Sequence, residues 1–190
     1  LRAYAFERRE TQPRDVELEI LFCGVCHSDL HTARGEWQGS VYPVVPGHEI
    51  VGRVTRVGNA VTSVKAGDIA AVGCMVDSCR HCAPCDAGLE QYCVEGATWT
   101  YNAHERGSDR MSFGGYSEQI VVEERFVVKS PAHMDLKAVA PLLEAVQGAG
   151  DAGRSSATAL IQIADPASVE PLIELLSNQG EEVRLYAAYA

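Results

Sequence analysis

Residues 79–93 read CRHCAPCDAGLEQYC, a run with cysteines at positions 79, 82, 85 and 93. The gaps of two residues between the first three cysteines let a loop wrap around a metal ion, and the last cysteine closes the shell. Four thiolates suit tetrahedral Zn²⁺ and leave no coordination position open. The spacing therefore predicts a structural zinc held by Cys79, Cys82, Cys85 and Cys93. The alternative is a set of buried or disulfide-bonded cysteines.

The cysteines are confined to one part of the chain. All seven lie between Cys23 and Cys93, and residues 94–190 contain none. An odd number in so short a segment, without an apolar signal-peptide core, is not typical of a secreted disulfide scaffold. The distribution favours metal binding in a reducing compartment, and we expect a cytoplasmic protein.

The composition excludes several classes of partner. The 190 residues are 46% hydrophobic and carry a net charge of −10. Nucleic-acid binding requires a basic stripe, which this balance disfavours. No apolar run approaches the roughly 18 residues needed to cross a bilayer. We expect a globular protein that binds neither nucleic acid nor a membrane.

Two kinds of sequence meet near residue 145, and the helical pattern begins at about residue 135. The first part, residues 1–134, is rich in β-branched residues and punctuated by glycine and proline, which predicts a β-rich domain. Its strand-like runs are residues 16–21, 50–54, 69–72 and 118–122. Residues 135–150 are predicted to form a helix followed by a glycine-rich linker.

Residues 151–190 have a helical pattern of alanine, leucine and isoleucine, interrupted at Asp165-Pro166. This pattern resembles a HEAT-like repeat, so we expect a short all-α tail that offers a surface to a protein partner. The linker at residues 148–153 spells G-x-G-x-x-G, but no β-strand pattern precedes it. A dinucleotide site needs that strand. We therefore predict no Rossmann domain in this chain.

A second group of metal-binding residue types lies nearer the start. It comprises Cys26-His27-Ser28-Asp29-Leu30-His31 and Gly47-His48-Glu49. One thiolate, one imidazole and one carboxylate suit a catalytic zinc, which has three protein ligands and an open fourth position. The alternative is an incidental Cys-His pair, with His48 simply hydrogen-bonded beside a surface Glu49.

Several stretches together resemble the zinc-dependent medium-chain alcohol dehydrogenases, in the NADP-preferring cinnamyl alcohol dehydrogenase branch. They are residues 23–31, 42–52, 76–79, 88–93 and 114–118, and the resemblance extends from about residue 5 to residue 143. It implies a GroES-like catalytic domain, a β-rich barrel with a zinc lobe. It also implies oxidoreduction of a small alcohol or aldehyde with NADP(H).

The same resemblance implies a role for individual residues. Cys26 and His48 would bind the catalytic zinc, and carboxylates hydrogen-bonded to such ligands fix their orientation. Asp29 and Glu49 would orient these ligands. Ser28 would accept the alcohol proton, and His31 would pass it to solvent. His27 would contact the cofactor pyrophosphate, and Trp37 and Trp99 would line the substrate entrance.

The chain departs from the family pattern at Glu144, where a third cysteine ligand is expected after residues 140–143. Sorbitol dehydrogenase-like enzymes have glutamate there, so Glu144 would complete a Cys-His-Glu site. The alternative is an exposed helical glutamate. Two functions therefore remain open. One is the zinc-binding catalytic domain of an alcohol dehydrogenase, without its cofactor domain. The other is a non-catalytic zinc module fused to a HEAT-like interaction segment.

Overall fold

An antiparallel sheet organises the part of the chain that the structure, a computed structural model, describes: residues 2–130 and residue 136. Its strands in chain order are β1 (Asp15–Gly24), β2 (Glu49–Val57), β3 (Ile69–Val72), β4 (Met75–Asp77), β5 (Thr98–Trp99), β6 (Gln119–Glu123) and β7 (Val128–Lys129). The five-stranded sheet has the spatial order β6-β1-β2-β3-β7, and β4 pairs with β5 separately.

Helical elements are short in these residues. Helix α1 (His27–Arg34) directly follows β1, and α2 (Ala83–Asp86) is a single turn within the cysteine-rich lobe. Two 3₁₀ turns span Glu90–Tyr92 and Glu124–Phe126. The predicted β-rich, loop-heavy domain is confirmed, with strands at all four predicted positions.

The apolar residues of β1, β2 and β6 form the core. Val16, Leu18 and Ile50 are fully buried, and they cluster with the buried Val54 and Ile120. In β1 these buried positions alternate with more exposed glutamates, as expected for a strand with one face on the core. The alternation therefore fixes which face of β1 turns inward.

The pairing of β1 with β2 brings two distant parts of the sequence together. The strands are antiparallel, and Gly24 at the end of β1 lies opposite Glu49 at the start of β2. A Cβ atom on Gly24 would lie 1.9 Å from the Glu49 carboxylate, so any larger residue at position 24 would displace the Glu49 side chain. Since Cys26 follows β1 and His48 precedes β2, the register places both at this end of the sheet.

Several predictions concern residues outside the described part of the chain. They are the linker after residue 136, the HEAT-like tail at residues 151–190, the missing Rossmann domain and the ligand role of Glu144. Leu136 itself packs against the buried Val51 and Ala71. Among the described residues, no helix has the length and apolarity to cross a membrane.

The burial of Leu18 predicts that two leucine-to-alanine substitutions lower the free energy of unfolding by different amounts. Leu18→Ala should lower the free energy of unfolding by about 2–5 kcal/mol, because it leaves a cavity in the core. Leu89→Ala, at an exposed position in the cysteine-rich lobe at residues 79–93, should cost less than about 1 kcal/mol. Urea denaturation at saturating zinc measures both. Equal losses would show that Leu18 is not a core residue.

Candidate metal centres

The four cysteines of the zinc lobe converge as their spacing predicts. Their sulfur atoms all lie within 4.8 Å of one another. Cys85 and Cys93 are buried. The sulfurs of Cys79 and Cys85 are 3.8 Å apart, whereas a disulfide bond is about 2.05 Å long. All seven cysteines are free thiols in the structure. A cluster of four sulfur donors with this compactness fits a tetrahedral zinc ion.

Polar groups next to the cluster contact its sulfur atoms. The backbone N–H of Cys79 donates to the sulfur of Cys93 at 3.4 Å. The hydroxyl of Ser78, which is fully buried, lies 3.4 Å from the sulfur of Cys85. Hydrogen bonds to ligand atoms orient them and tune their electron donation. The lobe therefore provides the sulfur ligands and polar groups that contact two of them.

The second group forms at the end of the sheet. Cys26, His48 and Glu49 each offer a ligand atom, and these atoms lie within 4.8 Å of one another. Cys26 is the N-cap residue of α1, while His48 and Glu49 are buried where β2 begins. A thiolate, an imidazole and a carboxylate are a suitable donor set for zinc.

A glycine allows the two halves of this site to approach. Gly47 has a φ of 102°, a conformation that side chains rarely adopt. A Cβ atom there would lie 2.8 Å from the sulfur of Cys23 and 2.9 Å from the backbone nitrogen of Tyr116. The residue before His48 is therefore glycine for both conformational and steric reasons.

The Asp29 carboxylate joins the surrounding segments. It is 2% exposed and accepts four hydrogen bonds. Oδ1 accepts from the Gly47 backbone N–H at 2.9 Å and from His48 Nδ1 at 3.3 Å. Oδ2 accepts from the Cys26 backbone N–H at 3.0 Å and from the Tyr116 hydroxyl at 2.7 Å. Because His48 donates through Nδ1, its Nε2 carries the lone pair that a metal needs.

These contacts shift two pKa values in opposite directions. Burial alone would raise the pKa of Asp29, but the hydrogen bonds from His48, Tyr116 and two backbone amides outweigh it and hold that pKa well below its usual range. Burial, together with the Asp29 carboxylate, raises the pKa of Tyr116. Asp29 is therefore an anion at neutral pH, and Tyr116 is a neutral donor.

Sequence reasoning missed Tyr116. The stretch at residues 114–118 contributed to the family resemblance, but no function was predicted for it. The available signal was the glycine pair before Tyr116, because Gly114 and Gly115 allow a close approach to the loop at Pro46 and Gly47. The partner of the tyrosine lies 87 residues away, and only the fold shows which residue it contacts.

A cavity of about 470 Å³ opens beside His48. Ser28, Trp37 and Trp99, to which the family resemblance gives roles near a substrate, line it. Thr32 and Tyr101 also line it and were not predicted. The Ser28 hydroxyl is 3.5 Å from the Cys26 sulfur. The cavity therefore connects the Cys26–His48 group with a wall of aromatic side chains.

His27 and His31, the other two histidines to which the family resemblance gives a role, both lie in helix α1. The His31 ring stacks on Trp37 with centroids 5.3 Å apart, and its Nδ1 is 2.5 Å from the Glu36 carboxylate. His27 is exposed at the start of α1, with its ring centroid 5.6 Å from that of His31. His31 is thus paired with Glu36 and stacked on Trp37.

Comparison with known proteins identifies the family of the chain. Residues 12–132 match the alcohol dehydrogenase GroES-like domain. The chain belongs to this family. The aldehyde reductase YahK of Escherichia coli is 56% identical to this GroES-like chain over 138 residues, which cover 72% of the chain and 39% of that protein. The NADP-dependent alcohol dehydrogenase C of Mycobacterium bovis is 52% identical over 136 residues and is likewise covered over 39% of its length.

Solved structures give the same result for the GroES-like fold. A cinnamyl alcohol dehydrogenase of Sorghum bicolor aligns with a TM-score of 0.73 and 42% identity, over 84% of this chain and 43% of that one. The Helicobacter pylori enzyme, solved with NADP(H), aligns with a TM-score of 0.72 and 40% identity, over 83% and 43%. The chain therefore spans about two fifths of the length of these relatives.

The cysteine cluster predicts the metal content of variants. Cys79→Ser should remove one tightly held zinc per chain, because an uncharged hydroxyl is a poor replacement for a thiolate ligand. Cys23→Ala removes a cysteine that lies outside the cluster and should leave the zinc content unchanged. Elemental analysis after mild chelation measures both. Unchanged zinc in Cys79→Ser would contradict the four-cysteine assignment.

The contacts of Asp29 predict that its substitution weakens metal binding at the Cys26–His48 group. In Asp29→Asn, either orientation of the amide turns its NH₂ group towards two hydrogen-bond donors. The orientation of His48 should then be lost, and metal affinity at the Cys26–His48 group should fall about 10- to 100-fold. Competitive titration with a zinc chelator measures it. Asp109→Asn, an exposed control, should bind zinc like the wild type; equal affinities in both variants would contradict the function of Asp29.

Proposed function

We propose that this chain is the zinc-binding catalytic domain of an NADP(H)-dependent alcohol dehydrogenase. The observation that carries the proposal is the convergence of Cys26, His48 and Glu49 beside a cavity large enough for a small organic molecule. Membership of the GroES-like family and the names of the relatives support it. The four-cysteine lobe would then have a purely structural function.

Cys26 and His48 would supply two ligands of the catalytic metal. Glu49 is the carboxylate that lies within reach of both among the described residues. Glu144 is a second candidate for the third ligand from the sequence pattern. Zinc bound by such a set polarises the oxygen of an alcohol or carbonyl group and lowers the pKa of the bound hydroxyl.

The side chains of the chain itself would orient the site and move the proton. Asp29 holds His48 through Nδ1, so that the imidazole keeps one tautomer and one orientation. Ser28 lines the cavity and would accept the hydroxyl proton, which His31 would pass on to solvent. Trp37 and Trp99 would limit the access of water to the reacting carbon. His27 would contact the cofactor pyrophosphate.

The walls of the cavity favour a particular class of substrate. Two tryptophans and Tyr101 surround the opening, and the described residues that line it include no lysine or arginine. Flat, apolar molecules bind well to such walls. Together with relatives named as aldehyde reductase and cinnamyl alcohol dehydrogenases, this supports a small uncharged alcohol or aldehyde with an aromatic or unsaturated group.

A second candidate function rests on the sequence of residues 151–190. Their repeat-like pattern around Asp165-Pro166 favours a HEAT-like segment that binds a protein partner. In that case the GroES-like domain would be a non-catalytic zinc module. The two functions differ in whether the Cys26–His48 site binds an alcohol.

An alcohol titration of the cobalt(II)-loaded protein tests the catalytic proposal. Cinnamyl alcohol should change the visible ligand-field spectrum in a saturable way, because its oxygen enters the open coordination position. His48→Gln should abolish that change and keep the spectrum of cobalt in the four-cysteine site. No saturable change in the wild type would contradict the proposed function and favour the non-catalytic module.

A further inference from the structure

Arg106 reaches from a neighbouring loop into the zinc lobe. Its Nη2 lies 3.7 Å from the sulfur of Cys93 and also donates to the carbonyl of Gly96. Its Nη1 donates to the Glu95 carboxylate at 3.2 Å. The side chain is only 24% exposed. One guanidinium therefore contacts a proposed zinc ligand and the two residues that closely follow it.

The surrounding structure holds Arg106 in this position. It lies in a tight loop in which the Glu105 N–H donates to the Arg110 carbonyl at 2.9 Å, and His104 forms a bridge with Met111. Its partner Glu95 is held in turn by His81, whose Nε2 is 2.9 Å from the carboxylate. The loop and the His81–Glu95 pair thus lie on either side of the guanidinium.

The chemistry of the cluster explains why a cation would be needed there. Four thiolates outweigh the charge of one Zn²⁺ ion, so the loaded site is an anion. Cys85 and Cys93 are buried, and a buried anion is costly unless hydrogen bonds and opposite charge offset it. The Cys79 amide and the Ser78 hydroxyl provide neutral contacts. Arg106 adds a contact to Cys93 that carries a full positive charge.

We propose that Arg106 is a positioning residue for the four-cysteine zinc site, donating a charge-assisted hydrogen bond to Cys93 that slows the loss of the metal. The inference rests on the proposed structural zinc. The role of Arg106 is an addition to that zinc site, because the four-cysteine spacing gives no indication of Arg106. Hydrogen bonds to charged groups are about twice as strong as neutral ones. Loss of such a partner of a metal ligand typically weakens metal binding about 10- to 100-fold.

The test compares three variants of the full chain. Arg106→Gln removes the charge and keeps much of the side-chain length. Arg106→Lys keeps the charge but cannot reach Glu95, Gly96 and Cys93 together. Arg110→Gln is the matched control, because it removes the same charge from an exposed position in the same loop. The first measurement is the rate of zinc transfer to a chromogenic chelator, after removal of the weakly held metal.

We expect Arg106→Gln to release the tightly held zinc about tenfold faster than the wild type or more. Arg110→Gln should stay within about twofold of it, as expected for an exposed charge. The second measurement is the thiolate-to-metal charge-transfer band of the cobalt(II) protein. It should move to lower energy in Arg106→Gln, because a sulfur without its hydrogen bond donates more strongly. An ion pair with Glu95 that merely supported the fold would not move this band.

The outcomes separate this inference from the proposal on which it rests. If the wild type keeps no tightly held zinc, the four-cysteine site is itself wrong. If the wild type keeps zinc and Arg106→Gln behaves like Arg110→Gln in both measurements, only the inference about Arg106 is overturned. Should Arg106→Gln not fold even with excess zinc, Arg106→Lys decides. Faster release than in the wild type supports the inference, and an unchanged rate overturns it.

Discussion

The hydrogen bonds of Asp29 connect the parts on which the site depends. This carboxylate links the first turn of α1, the loop before β2 and the loop at Tyr116. A buried carboxylate requires several donors to remain charged, and here two backbone amides, a phenol and an imidazole provide them. The cost of burying the charge is offset only when all three segments are in place. The orientation of His48 is therefore coupled to the fold of the domain.

The two candidate metal centres differ in how they relate to that fold. The Cys26–His48 group lies where β1 ends and β2 begins, so the core of the five-stranded sheet positions it. The cysteine lobe has little apolar core, and its larger apolar side chains Leu89, Tyr92 and Val94 are exposed. In such a lobe, metal coordination takes over the stabilising function of a core. The contacts of Arg106 and Ser78 with the sulfurs are consistent with that dependence.

Prediction from the sequence succeeded where the information is local. The four strand-like runs became strands because alternation and β-branched residues act over a few neighbours. The four-cysteine cluster was equally predictable, since gaps of two residues are typical of ligands that share one zinc ion. The pairing of Cys26 with His48 needed the family resemblance, because 21 residues separate them. The sequence did not predict the contacts of four further residues, namely Thr32, Tyr101, Arg106 and Tyr116. Each of them contacts a partner that is distant in the sequence or lines a cavity.

The sequence by itself determined the composition of the metal centres. Cysteine spacing, the Cys-His and Gly-His-Glu motifs and the strand pattern specify which donors are available. Only the tertiary structure decided how those donors are supported, because antiparallel pairing and the approach at Gly47 place the Tyr116 hydroxyl on Asp29. The tertiary structure also places the Arg106 guanidinium next to Cys93, because a separate loop folds against the cysteine cluster. Hydrogen bonds and charges act over a few ångströms in space, and the order of residues along a chain does not contain those distances.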